Sequence, residues 1–309
     1  MREGDLPAAP AAATVATPAP ADEGEFPSVP SRSLDTLWFQ VAGTLCNLQC
    51  THCFISCSPT NHSHEMLTLA DVRRRLAEAI PLGVREYYFT GGEPFMNPEM
   101  LAILEETLRQ GPATVLTNGL LLTPERCRRL RELSDASDYS LDIRVSIDGY
   151  DAAGNDPIRG AGTFDRIRAG IRELARAGLD PVVTVTEAAP GSEGEGGRAR
   201  FLAWMREIGV ARPRLKVLSV FRLGAETSRA RGYERWETLR GRALSEAELD
   251  LLQCSSSRMV TSRGVWVCPI LLDEPAARMG ESLAETLRPF PLRHGACFTC
   301  HAYGVTCRT

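Results

Sequence analysis

Between Leu34 and Gly224 the sequence keeps changing its hydrophobic period. The β-rich runs TLWFQVAG, VREYYFT, ATVLT, LDIRVS, DPVVTVTE and RPRLKVLSV each give way to a segment whose apolar residues recur at helical spacing. Start and stop signals frame those helices. Thr68 or Asp71 opens LTLADVRRRLAEAI, Thr123 precedes Pro124, and Gly111, Gly178 and Gly209 close three others. Strand and helix thus alternate six times over roughly 190 residues, and each crossover is long enough to return in parallel. The pattern predicts an α/β fold with a parallel sheet. In such sheets and barrels chemistry gathers at the C-terminal ends of the strands. The distinctive short motifs fall there: a cysteine loop after strand one, Gly91-Gly92-Glu93 after strand two, Thr117-Asn118 after strand three, and Ser146 and Asp148 after strand four.

After Gly224 the rhythm stops. SEAELDLLQ reads as a short helix with a capping box, Ser245 and Glu248. RMVTSRGVWVCP reads as a hairpin turning at Arg263-Gly264, GESLAETLRPF as another short helix, and CFTCHAYGVTC is dense in cysteine. Residues 225–309 are expected to be a small C-terminal unit with a thin, metal-stapled core, following a main domain over 34–224. Residues 1–33, rich in Ala and Pro, are expected to be a disordered tail, not a signal peptide or membrane span. Ten cysteines without an export signal imply a reducing, cytoplasmic setting where thiols bind metal or do chemistry. The formal charge of −4 advertises no basic face for nucleic acid, and no segment suits a membrane. Lys216 is the sole lysine, so phosphate or carboxylate contacts would fall to arginine forks.

The cysteine loop is Cys46-x3-Cys50-x2-Cys53. A closed structural cluster would take four thiolates; three leave one iron open to a small chelating molecule. This spacing, with Phe54 behind it, resembles the signature of the radical S-adenosylmethionine (SAM) superfamily. The GGE turn, the Ser146/Asp148 strand end and DPIRGAGTF, containing Arg159, resemble further motifs of that family. The resemblance covers about residues 36–222 and implies a partial (β/α)6 TIM-type barrel with a C-terminal iron–sulfur extension. It implies a 4Fe–4S cluster on Cys46, Cys50 and Cys53 whose open iron chelates SAM. An electron then yields a 5′-deoxyadenosyl radical that removes a hydrogen atom from substrate. It further implies that Gly91, Gly92 and Glu93 hold the SAM amino group, Glu93 through its carboxylate. Ser146 and Asp148 would contact ribose or carboxylate, Arg159 would take the carboxylate, and Thr117 and Asn118 could line the pocket. Cys57 reads as a bystander thiol, and His52 as packing at the cluster or SAM edge.

Cys254, Cys268, Cys297, Cys300 and Cys307 form a second set. It resembles the auxiliary-cluster extensions of radical SAM enzymes (SPASM and its short form, twitch), and one auxiliary 4Fe–4S cluster needs four of the five. The favoured assignment takes Cys268, Cys297, Cys300 and Cys307 and leaves Cys254 free to return a hydrogen atom to a substrate radical; the other takes Cys254 and leaves Cys307 idle. The layout resembles the aminoglycoside epimerases, which implies a sugar or aminoglycoside substrate, antibiotic biosynthesis, and an electron donor such as a reductase, flavodoxin or ferredoxin. Asp151, Asp156, Glu187 and Glu226 are candidate contacts for a polycation. Two alternatives stay open: an aminocyclitol dehydrogenase, and a maturase of ribosomally made peptides.

Overall fold

The structure, a computed structural model, describes residues 26–188 and 194–304. Six parallel strands are β1 (Thr36–Gln40), β2 (Glu86–Thr90), β3 (Ala113–Thr117), β4 (Leu141–Ser146), β5 (Val182–Thr186) and β6 (Arg214–Leu218). They pair in that order across the sheet. The helices between them are α1 (Leu69–Ala79), α2 (Met100–Thr107), α3 (Pro124–Asp135), α4 (Ala152–Arg159), α5 (Thr163–Arg176) and α6 (Gly194–Glu207). This is the α/β architecture of a partial TIM-type barrel.

Side-chain alternation sorts each strand. Leu37 and Phe39 of β1, Tyr87 and Phe89 of β2, Val115 of β3, Ile143 and Val145 of β4, and Val183 and Val185 of β5 join one core with Leu76, Ile103, Leu130, Ile167 and Ile171 from the helices. The opposite faces, carrying Trp38, Tyr88, Leu116, Arg144 and Thr184, turn inward. The caps follow the sequence. The Thr68 hydroxyl accepts from Asp71 N–H while the Asp71 carboxylate accepts from Thr68 N–H, and Thr123 caps α3 ahead of Pro124.

Three differences from the sequence reading matter. The hairpin β7 (Ser257–Thr261) and β8 (Gly264–Trp266) does turn at Arg263-Gly264, but β7 pairs parallel with β1. With β9 (Arg278–Gly280) the sheet has nine strands, in the order β9-β8-β7-β1-β2-β3-β4-β5-β6. The C-terminal segment therefore extends the barrel sheet through β1. Second, the expected tail over 1–33 is ordered from residue 26: Ser28–Val29 pairs antiparallel with Phe290–Pro291, and Arg32 N–H donates to Ser255 C=O at 2.8 Å. Val29, 1% exposed, supplies the apolar anchor for that strand. The remainder, residues 1–25, lies outside the described residues. Third, α4 has no counterpart in the sequence reading, because Gly154 and Pro157 inside it argue against a helix. Among the described residues no helix is long and apolar enough to cross a membrane.

Candidate active site

The three cysteines sit where β1 ends. The chain from Val41 to Ser58 loops across the C-terminal rim, held by Thr44 N–H to His64 C=O at 3.2 Å and Cys46 N–H to Ser58 C=O at 3.1 Å. Thr51 N–H donates to Ile158 C=O at 2.9 Å, tying the loop to the end of α4. The GGE turn is laced beneath it, with Gly92 N–H on Gly43 C=O at 2.8 Å and Glu93 N–H on Leu45 C=O at 3.0 Å. Close approach explains the glycines. Gly91 has φ of 146°, and a Cβ on Gly92 would lie 1.9 Å from the Leu45 carbonyl oxygen.

Cys46, Cys50 and Cys53 share one wall of a cavity of ≈ 210 Å³ that runs into the barrel. Gly91, Gly92, Thr117, Asn118, Ser146 and Arg159 also line it. Burial pushes the Cys46 thiol up to about 12 and the Cys50 thiol up to about 11. The Cys53 thiol falls to about 6 because Cys57 hydrogen-bonds to it. Metal coordination would deprotonate all three outright. Cys57 also lines the cavity, and its Sγ lies 3.8 Å from the Gly91 carbonyl oxygen.

Two expected contacts face elsewhere. Glu93 is fully buried, but its carboxylate accepts from Thr117 Oγ1 at 2.8 Å, Asn118 N–H at 2.7 Å and Phe95 N–H at 3.1 Å. It fixes the turn after β3 and does not line the cavity, so an ammonium there would meet backbone carbonyls, not this carboxylate. Asp148, also 0% exposed, lies behind the wall. Its Oδ2 holds both His52 Nε2 and Arg159 Nε at 2.7 Å, and its Oδ1 accepts from Thr186 N–H at 3.2 Å. Burial works against the Asp148 anion, but Arg159 and His52 prevail and hold it down to about 2. Asp148 thus aims Arg159 and His52 at the cavity. Asn118 reaches the cysteine loop itself, its Nδ2 donating to Asn47 Oδ1 at 2.7 Å and lying 3.7 Å from Cys46 Sγ.

The radical SAM superfamily matches residues 41–195, the stretch from the cysteine loop through β5. The chain belongs to the radical SAM superfamily. Enzymes of this superfamily use a 4Fe–4S cluster and SAM. The relatives it resembles perform different reactions. It is 35% identical over 142 residues to an AdoMet-dependent heme synthase of Methanosarcina barkeri, covering 45% of this chain and 38% of that protein. It is 33% identical over 135 residues to mycofactocin maturase MftC of Mycobacterium tuberculosis, covering 43% and 33%. The match therefore spans under two fifths of either relative. In fold it is similar to Streptococcus suis SuiB bound to precursor peptide SuiA, with a TM-score of 0.63 at 16% identity, covering 84% of this chain and 64% of that one.

A second thiol group lies beyond the radical SAM match. Cys254, Cys268, Cys297 and Cys300 stand around a cavity of ≈ 20 Å³ walled by apolar side chains, among them Leu252, Val267, Ile270, Phe290 and Leu292. Cys297 and Cys300 come from α7 (Gly295–Ala302), Cys268 follows the hairpin, and Cys254 sits in a short 3-10 turn. Burial pushes the Cys254 thiol up to about 11 and Cys297 well above its ordinary value. The sequence reading favoured Cys254 as a free donor at the substrate; in the fold it lines the second cavity with the other three and does not line the first. Cys307 lies outside the described residues. No three His, Cys, Asp or Glu side chains among the described residues converge tightly enough to hold a single ion. The four thiols line the small cavity between them.

The acidic residues considered for a polycation are not at the cavity either. Asp151 caps α4, Asp156 accepts from Gly162 and Phe164 N–H, and Glu226 pairs with Arg229 at 2.6 Å. Sequence reasoning missed Trp38, Arg144 and Thr184, which line the cavity. The signal was present in β4, where Asp142, Arg144 and Ser146 alternate with apolar residues, and in Thr184 and Thr186 of β5.

Proposed function

We propose that this chain is a radical SAM enzyme that opens a C–H bond in a peptide, and not in an aminoglycoside. One observation carries the choice: Cys254, the hydrogen donor an epimerase would need, lies among Cys268, Cys297 and Cys300 and does not line the first cavity. Of the thiols at the first cavity, all on the cysteine loop, only Cys57 is outside the cluster set, and it is engaged with Cys53 and the Gly91 carbonyl. A maturase among the relatives and a peptide-bound structure of the same fold support the peptide reading.

In this reading Cys46, Cys50 and Cys53 hold the catalytic cluster, and the absent fourth thiolate leaves a seat for SAM. Bound there, cluster and SAM supply a carbon-centred radical that removes a hydrogen atom. The backbone at Gly91 and Gly92 would receive the SAM ammonium, and Arg159, aimed by Asp148, would receive its carboxylate. Asn118, Ser146 and Thr117 supply the remaining polar wall. Cys254, Cys268, Cys297 and Cys300 hold an auxiliary cluster in their dry pocket, giving substrate oxidation a second electron carrier. An external one-electron reductant is required, and oxygen-sensitive clusters suit the reducing cytoplasm.

The test offers the reconstituted, anaerobic enzyme reductant, SAM and either a random pentapeptide pool or neomycin-type aminoglycosides. The expected result is a peptide mass change accompanied by 5′-deoxyadenosine, with the amino sugars unaltered. Turnover of an amino sugar with one deuterium taken from heavy water would overturn the reading.

A further inference from the structure

The nine-stranded sheet has two edges, β9 and β6, and they are finished differently. β9 is three residues long, its register against β8 shifts between Arg278 and Gly280, and Arg278 Nε donates to the Arg263 carbonyl at 2.6 Å. A short, irregular, charged edge is poorly suited to further pairing. β6 keeps an unbroken register with β5 over its five residues, Arg214 to Leu218, and reads RLKVL, with neither bulge nor proline. Leu218 C=O accepts from Glu187 N–H at 2.9 Å, on the β5 side. Strand alternation then turns the N–H and C=O of Leu215 and Val217 the other way, where no strand stands among the described residues. Leu215, Val217 and Leu218 are half-buried, whereas Val182, Val183, Thr184 and Val185 of β5 are buried.

This open edge runs into the active site. Leu218 lines the first cavity, as do Val220 and Phe221 just beyond it. Pro269 and Ile270, which follow β8 next to the opposite edge, line the same cavity. The cavity thus touches both ends of the unclosed sheet, and the gap between those ends lies beside it. An open edge presents donors and acceptors at the fixed spacing of a strand, and its complement is another extended backbone. A sugar has no such repeat. A peptide does.

We propose that the open edge of β6 is the docking strand for a peptide substrate. An extended segment of the peptide pairs its backbone with Leu215 and Val217, and the residue to be modified lies past Leu218, in the cavity. Affinity then comes from main-chain hydrogen bonds and tolerates many sequences, while the cavity selects the reacting side chain. This deepens the peptide reading above and rests on it.

The test is retention on the reconstituted, SAM-loaded protein held anaerobically, read by mass spectrometry after ultrafiltration. One pool holds random decapeptides. A matched pool carries a methyl group on every backbone amide nitrogen, which keeps the side chains and removes the donors. The expected result is retention of the plain pool about tenfold above the methylated one, the scale of two neutral hydrogen bonds. Hydrogen exchange over residues 214–219 should be fast without peptide and slowed by the plain pool alone. Val217→Pro removes an open-edge N–H and no bond to β5, and should lower retention about severalfold. Val217→Ala, which trims the side chain and keeps the N–H, should not. Iron content and circular dichroism of each variant report on folding. If Val217→Pro does not assemble, the two pools and the exchange measurement on the parent protein decide. Equal retention of both pools would overturn the docking strand and leave the peptide reading standing. Slow exchange over 214–219 without peptide would show the edge already covered, by a second copy or by the chain's own first residues, and would overturn it too. Retention of neither pool, with a neomycin-type aminoglycoside retained instead, would sink the peptide reading and this inference with it.

Discussion

The molecule has two thiol-lined cavities, and they differ in nearly everything except the thiols. The first is wide, ≈ 210 Å³, and sets arginines, asparagine, serine and threonines among apolar side chains such as Phe54, Leu116 and Phe221; the second is ≈ 20 Å³ and, apart from its thiols and Gln253, apolar. Four cysteines of one loop face the first, three of them in the Cys-x3-Cys-x2-Cys spacing, and four drawn from three separate segments line the second. A site assembled on one loop leaves the opposite side free for another molecule. A site closed from three directions has no such side. The contrast teaches that ligand count alone does not separate a reactive cluster site from a sealed one; what the remaining wall is made of does.

The comparison can be broken at either cavity. Cys46→Ala should abolish 5′-deoxyadenosine formation and lower bound iron from about eight atoms to about four per chain, measured by iron assay and chromatography. Cys254→Ala should also remove about four irons, yet leave SAM cleavage measurable and Cys307→Ala should remove none. Full iron in Cys254→Ala would return that residue to the free-thiol role. Asp148→Asn leaves the buried Arg159 without its anion. The expected cost is about 3–5 kcal/mol in denaturant unfolding and about 10–100-fold in SAM affinity by equilibrium dialysis, with iron content retained. The smallest effect should come from Thr68→Ala at the start of α1, far from both cavities. It should lower stability by about 1 kcal/mol and leave iron and SAM cleavage as they were.

How much of this was legible in the sequence depends on how local each feature is. The six strands, the caps at Thr68, Thr123 and Ser245, and the turn at Arg263-Gly264 are set by neighbours in the chain, and they stand where the pattern puts them. The three-cysteine loop was legible for the same reason. The parallel pairing of β7 with β1 was not, because its partner lies some two hundred residues away and no turn fixes the register. The direction of the Glu93 carboxylate was hidden too, since the donors that capture it, Thr117 and Asn118, belong to the next strand end. Cys254 looked isolated because three chain segments must fold before its companions arrive.

The pairing of β7 with β1 has a consequence for the order of assembly. β1 carries the cysteine loop and takes its partners from both sides, β2 soon after it in the chain and β7 only at Ser257. Until that point is made and folded, one edge of β1 is bare, and Trp38 and Phe39 sit on a half-paired strand open to other chains. The contact that covers it is among the most distant in the sequence, and such contacts form late. Cluster loading before then would take place on an unfinished platform. A chain cut ahead of residue 257 should therefore aggregate more readily than one that has lost only α7.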